Sequence, residues 1–274
     1  MTNKPADAAT VILVRPCADC GGSDIECLLV LKSVRDSFVP GYYVFPGGSI
    51  EAQDYHSEVD RFARGLDRKR AAEILSDMAQ PGKAIGAWVA AFRELFEETG
   101  LLPALRADRT PFSVRTASEA DRFERYRRAL TVNEMTFAQI LDKEQLLLPL
   151  DRLHYFSHWI TPEPFSLRYD VRFFLTPAPS GQSVSCDGRE LTKHLWIRPS
   201  SALREYRAGR IDLVLPQLAT LEELAVFQTV EQAVLAAGNR RVPAVLTRIE
   251  TIDGRDVEVM PDGTSYPVRP PSYP

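Results

Sequence analysis

The chain has 274 residues, of which 45% are hydrophobic and 26% charged, and its formal net charge is −4. Such a length can bury roughly three quarters of the unfolded chain's surface, enough for one large domain carrying insertions. The near-balanced charge leaves no electrostatic footprint for nucleic acid, and no apolar run approaches the eighteen or so residues of a membrane span. Met1 to Thr10 lacks the basic and apolar regions of a secretory signal, so the expected compartment is the cytoplasm.

In chain order, residues 10–14 and Ile25–Lys32 are aliphatic and β-branched runs on either side of a Cys/Asp/Gly-rich turn, which predicts a hairpin. Cys17-x-x-Cys20 in that turn has the spacing of half a zinc knuckle. A structural zinc needs two more ligands and only the isolated Cys27 and Cys186 remain, so a plain loop is the better reading. Residues 42–45 form a short strand ending at Pro46-Gly47-Gly48, where two glycines allow the backbone close to another group. From Asp54 to Gly82 the chain turns helical and charged, with helices expected over 57–64 and 67–78.

A helix is predicted over Ala84–Thr99, ended by Gly100 and barred from continuing by Pro103. At about 100° per residue, Ile85, Trp88, Val89, Phe92, Leu95 and Phe96 form its apolar stripe, and Glu94, Glu97 and Glu98 share the opposite sector. By itself an acidic face is a solvated face. Gly86, Ala87, Ala90 and Ala91, however, lie on or beside that sector, where a surface helix would carry Lys, Gln or Glu. Small residues there leave room against the carboxylates.

A second helical region spans 118–148, with Ser118-x-x-Asp121 as its cap and a break near 131–136. Its Arg122, Arg125, Arg127 and Arg128 read as a solvated basic face. Strands follow at 153–161 and 169–176 around Pro162-Glu163-Pro164, so His154 and His158 fall on a strand and not on one helical turn. The stretch 183–197 is a turn containing Asp187-Gly188-Arg189-Glu190 that feeds a further strand. Helices are expected at 200–208 and 217–237, then a hairpin about Asp253-Gly254 and a proline-rich end at 267–274. The chain contains no internal repeat, and reads as a single domain over 1–274 with helical insertions at about 55–83 and 113–149 and a C-terminal hairpin and tail at about 244–274.

Gly47-Gly48 and Arg93-Glu94-Leu95-Phe96-Glu97-Glu98-Thr99-Gly100-Leu101 together resemble the Nudix box. The second half matches that pattern at every defined position. The first half matches at Gly48 but has Asp54 in place of Glu, and 38 residues separate Asp54 from Arg93 where the pattern has seven. Such a split box is similar to the Nudix branch that includes the peroxisomal coenzyme A diphosphatases. So are Val39-Pro40-Gly41, His158-Trp159-Ile160-Thr161-Pro162 and Arg168-Tyr169-Asp170-Val171-Arg172-Phe173-Phe174, which extends the resemblance over about residues 10–220.

The resemblance implies an α/β fold, an α/β/α sandwich with a mixed sheet, and a hydrolase acting on a nucleoside diphosphate linked to another moiety. Hydrolysis of a pyrophosphate needs cations to neutralise phosphoryl oxygens and activate water, and clustered carboxylates suit hard cations. By resemblance Glu94, Glu97 and Glu98 hold Mg²⁺ or Mn²⁺ with the Gly47 carbonyl, and Arg93 orients Glu97. Asp54 takes the place of the supporting box acid. The expected catalytic set is Arg93, Glu94, Glu97 and, as general base, Glu190, with Glu163 next in line. Coenzyme A or an acyl-coenzyme A is the leading substrate, ADP-ribose or NADH the alternative within the class, and a non-catalytic nucleotide-binding module the alternative outside it. The expected partner is a small-molecule nucleotide, with no nucleic acid and no membrane, and a homodimer is allowed.

Overall fold

In the computed structural model, which describes residues 4–19, 21, 24–34, 39–78, 80–163, 165–186 and 191–268, the β-branched run Ala6–Pro16 is a long strand, β1. Its side chains alternate between two cores: Ala9, Val11 and Leu13 face one, and Ile12 and Val14 face the other. β2 (Ile25–Lys32) pairs with β1 only near Val14 and Cys27. Into the wedge left between them go β3 (Tyr43–Val44), which pairs with β2, and β4 (Gly47–Ser49), which pairs with β1 from Ala8 to Thr10. The wedge thereby puts the glycine turn beside the middle of the sheet, where the Val11 amide donates to the Pro46 carbonyl at 2.8 Å.

After β5 (Ala63–Arg64) come α1 (Arg68–Ile74) and α2 (Ala84–Thr99), then β6 (Leu105–Arg106), α3 (Ala117–Thr131), α4 (Phe137–Glu144) and β7 (Leu146–Pro149). The sheet resumes with β8 (His154–Ile160), β9 (Tyr169–Pro177) and β10 (Leu191–Ile197). Helices α5 (Pro199–Arg207), α6 (Leu215–Leu224) and α7 (Val230–Gly238) and the edge strand β11 (Ala244–Leu246) follow. A separate meander, β12 (Arg248–Ile252), β13 (Arg255–Val259) and β14 (Ser265–Pro267), ends the described chain, its first turn carried by Asp253 and Gly254 at positive φ. The main sheet has the order β10-β2-β1-β9-β8-β11, with β1 and β9 parallel and β1 and β2 antiparallel, so it is mixed. One core joins the sheet to α2 and to the segments around α1, α3 and α4; the other joins it to α5, α6 and α7. Helices cover both faces, as an α/β/α sandwich requires.

The structure departs from the sequence reading where long-range pairing overrides local pattern. Residues 57–64 form a 3₁₀ turn (Ser57–Arg61) and then β5, not a helix, because Ala63 pairs in parallel with Leu148. For the same reason the helical region stops at Glu144, and 146–149 become β7. The cap of α3 is Thr116, whose hydroxyl accepts from the Glu119 amide while the Glu119 carboxylate accepts from the Thr116 amide, and not Ser118. The stretch 217–237 is two helices, since Thr229 caps α7 anew. Cys20, Pro164, the Asp187-Gly188-Arg189-Glu190 turn and residues 269–274 lie outside the described residues.

Candidate active site

Helix α2 begins at Ala84 and ends at Gly100, whose φ of 73° is the left-handed cap conformation. Its apolar stripe packs on the sheet, with Trp88 against Phe174 and the Trp88 indole donating to the Leu153 carbonyl. The acidic sector is not solvated. Gly86, Ala87, Ala90 and Ala91 are all buried, and a Cβ at Gly86 would come within 3.1–3.2 Å of Tyr55 and Ile50. The space that small residues leave beside the acids is therefore taken by the chain just after the glycine turn, which roofs the helix.

Under that roof Arg93, 1% exposed, spends all five of its N–H donors. Nε and Nη2 grip the two oxygens of Asp54 at 2.8 and 2.9 Å. Nη1 donates to Glu94 at 2.8 Å and Glu97 at 3.2 Å, and Nη2 also reaches the Ser49 carbonyl at 2.8 Å. Asp54, fully buried, accepts in addition the Glu51 amide at 2.8 Å. The shorter acid thus does reach the helix, and it is the principal partner of Arg93; the Glu97 pairing one turn on is the weaker contact. Burial pushes the Glu94 carboxyl up to about 7, with Arg93 opposing the rise and Glu97 adding to it, and burial raises Glu97 as well.

Glu98, 5% exposed, belongs to a second group. Its Oε2 accepts the Gly47 amide at 2.8 Å and its Oε1 lies 3.5 Å from the Lys32 ammonium. Crowding by backbone requires Gly47, where a Cβ would lie 2.3 Å from the Ala9 carbonyl oxygen, and a Cβ on Gly48, 2.5 Å from the Glu94 carboxylate, would push that acid aside. The sequence reading placed three carboxylates on one shared face. The structure divides them between Arg93 and the Gly47/Lys32 pair, and among the described residues no three acidic, His or Cys side chains are gathered as a ready metal cage. The donors nonetheless fit a hard divalent cation in kind, because Glu94 and Glu98 meet the glycine loop and Arg93 holds Glu97 beside Glu94.

Lys32 was not singled out from the sequence, although a signal existed: it continues the alternation of Leu28 and Val30, which face α2. Arg127 differs from its reading as part of a solvated face. It is buried, and its guanidinium donates to the carbonyls of Glu97 at 2.9 Å and Ser185 at 2.8 Å, fastening α3 across the end of α2. Of the proposed bases, Glu163 is exposed in the turn between β8 and β9, and Glu190 lies outside the described residues.

Residues 6–224 match the family model of the NUDT19 Nudix domain. The acyl-coenzyme A diphosphatase NUDT19 of Xenopus laevis is 28% identical over 236 residues, covering 77% of this chain and 62% of that protein. Its counterpart in Gallus gallus is 26% identical over 310 residues, covering 96% and 80%. The crystal structure of a NUDIX hydrolase from Alicyclobacillus acidocaldarius superposes with a TM-score of 0.67 at 27% identity, over 86% of this chain and 97% of that one.

Proposed function

We propose, from the premise that the chain belongs to the family of the NUDT19 Nudix domain, that it hydrolyses the pyrophosphate of coenzyme A or an acyl-coenzyme A to 3′,5′-ADP and the (acyl-)4′-phosphopantetheine. The observation that carries the chemistry is the meeting of Glu94 and Glu98 with the Gly47-Gly48 loop, with Glu97 joined to Glu94 through the buried Arg93. The relatives named as acyl-coenzyme A diphosphatases support the substrate.

Mg²⁺ or Mn²⁺, held by Glu94, Glu97, Glu98 and the Gly47 carbonyl, would neutralise phosphoryl oxygens and lower the pKa of the attacking water. The chain's own residues set the stage for this. Arg93 fixes Glu94 and Glu97 from behind, so their remaining oxygens keep one orientation. The Gly47 amide does the same for Glu98, and Lys32 places a cation where an anionic substrate would approach that acid. The base we propose is Glu190, which directly precedes β10 in the sequence.

The test is a panel of coenzyme A, acyl-coenzyme A, ADP-ribose and NADH with Mg²⁺ or Mn²⁺, products separated by chromatography, and ¹⁸O-labelled water to identify the phosphorus attacked. Rapid turnover of ADP-ribose beside inert coenzyme A would overturn the substrate. Tight nucleotide binding with no turnover of any member would overturn the hydrolase.

A further inference from the structure

Two stretches that carry the family resemblance, around His158 and around Asp170 to Arg172, take no part in the acid site. The fold brings them together on adjacent strands, Arg172 pairing with His158 on one side and on the other with Ala9, which itself pairs with Gly48. Arg172 and His158, each 1% exposed, are packed among the carboxylates of Asp7, Asp77 and Asp170. Arg172 Nη1 donates to Asp7 at 2.9 Å and to the Asp170 carbonyl at 3.1 Å, and Nη2 donates to Asp77 at 3.2 Å. His158 contacts Asp170 through Nε2 and lies 3.4 Å from Asp77 through Nδ1.

The carboxylates come from three separate parts of the chain. Asp170 is on β9 and Asp7 on β1, while Asp77 belongs to the segment between the halves of the box, shortly before α2 begins. Asp7 is also tied to the glycine loop, since its carbonyl accepts the Ile50 amide at 2.9 Å and Ala8 pairs with Ser49. Ser49 in turn offers its carbonyl to Arg93. One arginine therefore grips the return of the inserted segment and, through Asp7, the loop whose Gly47 amide holds Glu98. Arg93 grips the start of the same segment at Asp54.

We propose that Arg172 is a positioning residue for the acid site: by holding Asp7 and Asp77 on one guanidinium it fixes the glycine loop and the segment leading into α2 relative to each other. Arg172 touches no reacting group. Its effect reaches the acids through the backbone of residues 7–10 and 47–50, as partners behind metal-ligating side chains act on the ligands they orient. The fork is essential to this role, because the single ammonium of a lysine cannot span both carboxylates.

The proposal rests on the metal-site reading above, and its first readout needs neither metal nor substrate. Amide hydrogen exchange at Gly47 and Ile50 reports the loop directly, and Mn²⁺ binding to the resting protein reports the acids. In Arg172→Lys both amides should exchange about tenfold faster than in Leu221→Ala, a core variant on the opposite face of the sheet, and Mn²⁺ affinity should fall by about tenfold. On whichever pyrophosphate the wild type cleaves, kcat should fall with KM unchanged. Should Arg172→Lys not fold, Asp7→Ala, which keeps the strand pairing, is expected to give the same pattern. Gly47 and Ile50 exchanging no faster than in Leu221→Ala, with Mn²⁺ affinity unaltered, would overturn the proposal and leave the cluster as a stabilising element only. A panel in which coenzyme A is inert would overturn the substrate without touching this result.

Discussion

Arg93 and Arg172 occupy matched environments that behave differently. Each is buried, each faces three carboxylates, and each holds one end of the segment inserted between the halves of the box. Arg93 has every donor satisfied and a fully buried partner in Asp54, whereas the buried Nε of Arg172 has no partner among the described residues and Arg172 binds acids whose side chains are 23–46% exposed. A buried ion pair stabilises little relative to an apolar one but is costly to break on one side only. The asymmetry in burial thus separates a pair that cannot be opened from one that can adjust. The largest expected effect follows: Arg93→Met should cost about 3–5 kcal/mol in urea unfolding, by stranding Asp54, and Arg172→Met about 1–3 kcal/mol, because Asp7, Asp77 and Asp170 can turn to water. The reverse order would show that the two clusters are not ranked by burial.

The next contrast is between holding and reacting. Glu98 answers to a backbone amide and to Lys32, so Glu98→Gln keeps the Gly47 hydrogen bond and removes the charge. Hydrolysis should fall by about a hundredfold or more while the thermal midpoint moves by only a few degrees. A large loss of stability with activity retained would mean that Glu98 serves the loop and not the chemistry.

The two clusters should also respond to pH in opposite senses. Burial raises Glu94 to about 7 in the folded chain, above its unfolded value, so folding favours the protonated form: stability is lost as pH rises from about 4 to 7 and stays lost above. In metal-free buffer at pH 8, Glu94→Gln should therefore be more stable than wild type by on the order of 1–2 kcal/mol, a difference that vanishes near pH 4. Asp170 runs the other way. Burial alone would raise it, but the bond from His158 and the charge of Arg172 outweigh that and hold it below the usual carboxylate range. Its contribution is present above about pH 4 and lost as pH falls below, so Asp170→Asn should be destabilising at pH 7 and neutral in acid. Guanidinium melts of both variants at pH 4 and 8 decide the matter.

How far the sequence carried the reading depends on the range of the interaction. Helix α2 was legible to its last residue, because its stripe, its Gly100 cap and its acids lie within sixteen consecutive positions. The mixed sheet and the α/β class were legible through the strand runs and the box resemblance. What local pattern could not supply was what covers the acids: Asp54 lies 39 positions from Arg93, and Tyr55 and Ile50 fill a groove that small residues alone had suggested was open. Residues 57–64 and 146–149 misread for the same reason, since β5 forms by pairing with β7, and β7 by pairing with β5 and β6. Arg127 and Arg172 look alike on paper to any surface arginine, and only the carbonyls and carboxylates brought to them by distant segments distinguish them.

The smallest expected effect lies on the surface of the same insertions. Arg61 donates to Asp142 at 2.8 Å, joining the first inserted segment to α4, but the two side chains are 61% and 56% exposed. The joint does not depend on them. Ala63 pairs with Leu148, the Leu148 amide donates to the Phe62 carbonyl at 2.9 Å, and Val59, Phe62 and Leu148 share the core that also holds α2. Exposed pairs of this kind contribute about 0.2–1 kcal/mol, screened by salt. Arg61→Ala should therefore shift the unfolding free energy by less than about 1 kcal/mol in low salt and by nothing measurable in 1 M NaCl. A salt-resistant loss of several kcal/mol would mean that the two insertions are held together by surface charge, and would place this pair alongside Arg93 and Arg172 instead of at the opposite end of the scale.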